Sequence, residues 1–133
     1  MANYIASGRS NYFKVKDLDS FTEAMSAFPV EIRAGINGRI CLLNVDPDGG
    51  GWNLYNQDTD ETHDPQELIG PHLADDEVCV LMEAGAEKLR YINGYALAFT
   101  NDPEQYVSLS LSDIYDKARD VFGPKVNMTF AEY

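Results

Sequence analysis

Carboxylates that lack neighbouring cations are the side chains of this sequence best suited to do chemistry. From Ile40 to Glu87 the chain has twelve aspartates and glutamates but neither a lysine nor an arginine. The full 133 residues include 22 acidic and 10 basic residues, so outside this acidic segment the two signs balance at ten each. A field concentrated in one segment can steer and select a basic partner, whereas evenly spread charge mainly serves solubility.

The acidic segment contains a predicted partner-binding site, made of three clusters of carboxylates and two aromatic side chains. The aromatic residues, Trp52 and Tyr55, lie between the first two clusters, and such rings supply contact area at interfaces where charges supply steering. Two alternatives stay open: the carboxylates are solvated surface charges, and Trp52 completes the core. The predicted contact residues are Asp46, Asp48, Trp52, Tyr55, Asp58, Asp60, Glu61, Asp64, Asp75, Asp76 and Glu77.

Metal and phosphate chemistry fit the acidic segment poorly. A calcium loop that began at Asp46 would need oxygen ligands at its fifth and twelfth positions, which are Gly50 and Gln57. The glycine triplet at 49–51 lacks the lysine and the serine or threonine that follow in a phosphate-binding loop. We therefore predict no cofactor and no metal ion.

Nucleophilic and acid–base catalysis also lack a sequence signature. The two histidines, His63 and His72, do not have the spacing of a zinc-binding helix, and no nucleophile stands beside them. We predict no catalytic residue and a protein that is not an enzyme, with a hydrolase or transferase acting through either histidine as an alternative. Cys41 and Cys79 lie in apolar runs typical of buried thiols, and a disulfide would require their strands to be neighbours.

Hydrophobic periodicity predicts the elements that position these residues. It indicates one α+β domain over 1–133, an antiparallel sheet with helices packed on one face, for which a ferredoxin-like variant is one form. Predicted helices follow Asp17 or Asp19, then Asp64, then Ser112. Residues 57–65 are predicted as an exposed acidic loop, 85–87 as a turn and Gly94 as a bulge. The predicted strands are 11–16, a hairpin over 30–45 with its turn at Asn37-Gly38, 52–55, 77–83, 89–100, 106–111 and 126–130.

Composition excludes several classes of function. No apolar run approaches the eighteen or so residues of a membrane span, and the first residues lack the basic head and apolar stretch of a signal peptide. An isoelectric point near 4.3 opposes direct binding of nucleic acid or of an anionic membrane. We expect a cytoplasmic protein of a bacterial host.

Two stretches resemble a family of small acidic proteins carried on plasmids, phages and other mobile elements. They are residues 8–17, with the sequence GRSNYFKVKD, and residues 81–91, with the sequence LMEAGAEKLRY. Together with the helix start LSDIY at 111–115, the resemblance spans most of the chain. It implies a compact acidic protein of mobile-element type, and such proteins include anti-CRISPR and anti-restriction inhibitors.

The resulting hypothesis is a non-enzymatic inhibitor of a nucleic-acid-handling host defence complex. Duplex DNA carries about one negative charge per 1.7 Å of axis, so a row of carboxylates can compete for a basic DNA channel. The expected partner is a protein with a basic, nucleic-acid-binding surface. The alternative is a regulatory or structural interaction module of a mobile element, which dimerises or binds through a sheet edge and whose acidity serves only solubility.

Overall fold

The computed structural model describes residues 4–46, 51–52, 54–56 and 58–132. None of the helices in these ranges has the length and apolar character needed to span a membrane. Within these ranges the strands are β1 (Ile5–Ser10), β2 (Val30–Ala34), β3 (Ile40–Asn44), β4 (Leu54–Asn56), β5 (Glu61–His63), β6 (Cys79–Glu87), β7 (Tyr91–Phe99) and β8 (Tyr106–Ser110). The helices are α1 (Leu18–Met25), α2 (Pro65–Ile69), followed by a 3₁₀ turn (Gly70–His72), and α3 (Asp113–Phe122).

Six strands form one antiparallel sheet in the order β2-β3-β1-β6-β7-β8, and β4 pairs with β5 in a separate hairpin. This confirms the predicted α+β class with an antiparallel sheet. The connection between β1 and β2 contains α1, and the connection between β3 and β6 contains α2. That order is compatible with a ferredoxin-like variant extended by β7 and β8, and the variant stays a prediction.

The core lies on one face of the sheet, between the strands and the first two helices. Phe21 of α1 and Ile69 of α2 are fully buried with Leu81 of β6 and Phe99 of β7. Successive residues of a strand point to opposite faces, so alternate residues of β6 through Cys79, Leu81 and Glu83 face this core.

Local signals at Asp17, Asp64 and Asn37-Gly38 position α1, α2 and the first hairpin as predicted, whereas the Ser112 side chain before α3 forms no capping hydrogen bond. The Asp17 carboxylate accepts hydrogen bonds from the backbone of α1, and the Asp64 carboxylate accepts one from the Gln66 N–H of α2. Asn37 and Gly38 have φ values of 58° and 75° in the β2–β3 turn. Each signal is confirmed because it involves residues within a few positions of one another.

The first strand is where the sequence prediction is wrong. The strand predicted at 11–16 reduces to isolated bridges, such as Phe13 with Ile40, while the sheet strand is β1 at Ile5–Ser10. β1 lies between β3 and β6, and its core-facing positions include Ala6 and Gly8. Because these side chains are small, β1 lacks the alternation of large apolar and polar residues that marks a half-buried strand.

Further strand limits differ from the predictions. β6 continues through the predicted turn at 85–87 to Glu87, and β5 occupies part of the predicted loop at 57–65. Gly94 pairs with Ala84 in an unbroken register between β6 and β7, so the predicted bulge is absent. The predicted strand at 126–130 is also absent, and the described tail joins the sheet through a bridge between Glu132 and Tyr91.

The two cysteines are free and buried. Cys41 lies in β3 and Cys79 in β6, with β1 between them. Two strand spacings separate their backbones by about 10 Å, beyond the roughly 7 Å that a disulfide can span. Burial raises the pKa of the Cys79 thiol, which disfavours a reactive thiolate.

Candidate functional site

The acidic clusters lie at two different ends of the sheet. Leu43 of β3 pairs with Arg9, which also pairs with Met82 of β6, so β3 and β6 run in the same direction. Asp46 follows β3, whereas Glu77 precedes β6. Their positions differ by about eight residues of strand, or roughly 27 Å. The predicted contact charges therefore do not form one surface.

At one end, the acidic hairpin formed by β4 and β5 carries Asp58, Asp60 and Glu61, all of them exposed. Asp60 has a φ of 58° and lies in the turn between the strands. Its carboxylate accepts a hydrogen bond from the Tyr55 hydroxyl, which raises the pKa of that tyrosine. Tyr55 is 43% exposed, so an aromatic surface lies beside the carboxylates.

Beside the acidic hairpin lies an open concavity of about 880 Å³, lined by Asp46, Asp64 and Glu83 together with His63, Tyr95 and Tyr106. We call this the acidic concavity. Asp64 is exposed at its rim, where it also begins α2. Carboxylates pair with cationic heads, and aromatic faces attract them. The arrangement thus suits a lysine or arginine side chain of another molecule.

Glu83 forms the floor of the acidic concavity and was not among the predicted site residues. Its side chain is 7% exposed, and its carboxylate accepts three hydrogen bonds. The donors are the Trp52 backbone N–H at 2.8 Å, the Tyr95 hydroxyl at 2.7 Å and the Tyr4 hydroxyl at 3.1 Å. The sequence did contain a signal for this position. Glu83 follows Cys79 and Leu81 at two-residue spacing in β6, so its side chain lies on the same, inward face of the strand.

The tyrosines that bind Glu83 are held in their neutral form. Burial, reinforced by the hydrogen bond to the nearby Glu83 carboxylate, raises the pKa of Tyr95 well above its ordinary value of 10. The same two causes raise the pKa of Tyr4. Both hydroxyls therefore act as fixed donors to the carboxylate at neutral pH, and neither supplies a phenolate base.

Trp52 does not reach the surface and so does not present its ring to a partner. The side chain is 1% exposed and belongs to the core. Its indole N–H donates to the Met82 carbonyl oxygen at 2.9 Å. The prediction that Trp52 anchors a partner is therefore wrong, and the alternative, in which Trp52 completes the core, is confirmed. The ring can be buried because its single N–H donor has an acceptor within the protein.

At the other end of the sheet, Asp75 and Glu77 are engaged within the chain, and Asp76 lies between them. The Glu77 carboxylate forms a bidentate ion pair with Arg39 and accepts a hydrogen bond from the Lys14 backbone N–H, and together these hold the pKa of Glu77 below its usual range. Asp75 accepts a hydrogen bond from the Asn101 amide at 2.9 Å. Asp76 is exposed in a turn with a φ of 63°. The carboxylates of this cluster therefore mainly connect separate segments of the chain to one another.

The histidines occupy packing positions. The His63 ring lies edge-on to Phe28 at 5.5 Å, and the His72 ring contacts Phe21 at the same distance. Among the described residues, no group of three or more His, Cys, Asp or Glu side chains is arranged to hold a metal ion. Asp48, a predicted contact residue, lies outside the described residues.

Comparisons of the chain with protein-family models, with curated proteins and with solved structures gave no match. The resemblance to mobile-element proteins therefore stays a prediction.

Proposed function

We propose that this chain is a non-enzymatic acidic binding protein that inhibits a nucleic-acid-handling host defence complex, of the CRISPR or restriction type, in the bacterial cytoplasm. The acidic hairpin and the rim of the acidic concavity occupy a basic surface that otherwise holds DNA phosphates. The observation that carries this proposal is the set of exposed carboxylates Asp58, Asp60 and Asp64. In the described chain, no lysine or arginine forms a salt bridge with any of the three.

The site offers two kinds of contact to such a partner. The exposed carboxylates supply a field that speeds encounter and fixes orientation. The exposed ring of Tyr55, beside Asp60, supplies apolar area at the centre of the hairpin. A cationic side chain of the partner enters the acidic concavity, where Asp46 and Asp64 meet its charge.

The first experiment is capture of a partner from a bacterial lysate on the immobilised protein, followed by elution with duplex DNA. A partner that uses its DNA-binding surface is displaced by excess DNA. The affinity of the purified partner then falls steeply between 50 and 200 mM salt, because several charge pairs form on binding. Capture that resists both DNA and salt contradicts the proposal.

Charge reversal at the acidic hairpin locates the surface. The triple variant Asp58→Lys, Asp60→Lys, Glu61→Lys is expected to weaken binding on the order of a hundredfold, since like charges in contact cost several kcal/mol. The matched control is Glu23→Lys, Glu104→Lys, Asp120→Lys, which changes the net charge equally at exposed sites outside the acidic segment. Equal loss in both variants indicates a response to net charge and contradicts a specific surface at the acidic hairpin. Unchanged binding in the hairpin variant supports the alternative, in which acidity serves only solubility.

A further inference from the structure

α3 is a helix with an apolar stripe that nothing in the described chain covers. None of its ten residues is buried. Val121 is 77% exposed and Phe122 is 70% exposed, and Ile114, about two turns earlier, is also exposed. The Tyr115 ring contacts Phe130 of the tail, but an open groove of about 900 Å³ separates this part of the helix from the start of β7.

An amphipathic helix of this length needs a packing surface. Isolated helices shorter than about 12–15 residues are marginal in water, and most helical stability in proteins comes from burial of the apolar face. The Asp116–Arg119 ion pair along the helix is exposed to solvent, so it stabilises the helix only slightly. The apolar stripe of α3 therefore indicates a partner surface that the chain does not provide in this arrangement.

The sheet has a complementary uncovered surface on the side opposite the core, which we call the outer face. Met82 of β6 pairs with Ala96 of β7, and Ala96 pairs with Leu109 of β8, so these side chains share one face. Val107 and Leu109 are 65% and 62% exposed. The floor between the larger side chains consists of small residues, namely Ala84, Ala86, Gly94, Ala96 and Ala98.

We propose that two copies of this chain form a symmetric dimer, in which α3 of each copy packs on the outer face of the other. One arrangement then covers both uncovered surfaces, and two-fold symmetry makes the contact occur twice. The small floor residues allow the helix to approach the sheet closely, while Met82, Val107 and Leu109 flank it.

The distribution of charge favours a second copy over a charged partner at the outer face. In β1, β6, β7 and β8 the side chains on this face include one charged residue, Arg9. Glu83 and Glu87 of β6 alternate to the opposite face. Two molecules of net charge −12 can therefore meet through this face with their acidic segments directed away from the contact.

The outer face has room for the helix of a second copy. With strands about 4.8 Å apart and 3.4 Å per residue, the four strands offer roughly 470 Å². The stripe of α3, about 15 Å long and about 10 Å wide, covers roughly 150 Å² of that face. Two reciprocal contacts therefore bury roughly 600 Å² in total, an area typical of weak association.

The test begins with the mass of the purified chain in solution, measured by light scattering from 5 to 200 μM. The expected value at the upper concentrations is twice the 14.8 kDa of the chain. Leu109→Glu and Val121→Glu should each weaken the dimer at least tenfold. Ile36→Glu is the matched control, because Ile36 is an equally exposed apolar residue in the β2–β3 turn, away from both surfaces.

Cysteine pairing identifies the contact. Differently tagged chains that carry Ala96→Cys and Val121→Cys are mixed and oxidised, and a disulfide joining the two tags is expected, whereas Ala96→Cys with Ile36→Cys should give none. The dimer should tighten as salt rises, because screening reduces the repulsion between two acidic chains. A chain that is still monomeric at 200 μM overturns the proposal. So does the absence of a disulfide between the two single variants when a chain that carries both cysteines forms one within itself.

Discussion

Glu83 shows how a single carboxylate can be tolerated in the interior of an acidic protein. Burying an ionised carboxylate is costly unless its oxygens are hydrogen-bonded. Trp52, Tyr95 and Tyr4 provide three donors, and these come from three separated parts of the chain. Glu83 therefore ties the loop before β4 and the N-terminal segment to the centre of the sheet.

Removing this carboxylate tests its structural role. Glu83→Ala leaves the Trp52 N–H and the Tyr95 hydroxyl without their acceptor, and each buried unsatisfied donor costs about 1–3 kcal/mol. We expect a loss of about 3 kcal/mol in the free energy of unfolding, measured by urea denaturation. Glu83→Gln retains an acceptor oxygen and should cost less. Equal stability of Glu83→Ala and the parent chain contradicts this role.

The alkaline stability of the protein should depend on Tyr95. Because the folded pKa of this tyrosine is raised above its ordinary value of 10, the folded state keeps a proton that the unfolded state loses above about pH 10. Stability contributed by this group is therefore complete below pH 10 and falls as the pH rises further. Tyr95→Phe should flatten the decline between pH 9 and pH 11 in urea titrations, and an unchanged slope contradicts the assignment.

At the scale of the elements, strands that pair with a neighbour in sequence are easier to predict than strands that pair with a distant segment. The β2–β3 hairpin is apparent from Asn37-Gly38, since both turn positions require positive φ. β1 is not apparent, because its position depends on pairing with β6, more than seventy residues away. Small residues such as Ala6 and Gly8 at the core-facing positions of β1 also remove the pattern by which a strand is predicted.

Gly85 is a test of the pairing between β1 and β6. A Cβ atom at this position would lie 2.5 Å from the Ile5 carbonyl oxygen and 2.7 Å from the Ala6 Cα. Gly85→Ala must displace the β1 backbone, so we expect a loss of about 2 kcal/mol in the free energy of unfolding.

Gly94→Ala is the matched control for that substitution. Its Cβ would lie closest to the Leu111 side chain, at 3.2 Å, which can shift, and at an ordinary contact distance of 3.5 Å from the Glu83 carbonyl oxygen. The control should therefore lose less stability than Gly85→Ala, and thermal denaturation monitored by circular dichroism can compare the two. Equal losses contradict the importance of the close approach between β1 and β6.

At the scale of the whole molecule, the proposed partner surface and the proposed dimer surface lie on opposite faces of the sheet. The acidic concavity, with Glu83 at its floor, is on the core side, and Met82 and Leu109 are on the outer face. The two associations should respond to salt in opposite directions. Partner binding weakens with salt and dimerisation strengthens, so each can be measured in the presence of the other.

Local sequence was sufficient to predict the class of fold, the starts of α1 and α2, the first hairpin and the concentration of charge between Ile40 and Glu87. These features depend on the chemistry of residues within a few positions of one another, such as the capping carboxylates of Asp17 and Asp64. Such local interactions do not depend on contacts between distant segments, so they can be predicted from the sequence.

Tertiary structure decided how the predicted site is divided. Arg39 neutralises Glu77 at one end of the sheet, while Asp46 and Asp64 line the acidic concavity at the other. It also buried Trp52 and Glu83 together and left the stripe of α3 uncovered. Side chains that are far apart in sequence meet only through strand pairing, and no periodicity along the chain encodes which strands become neighbours.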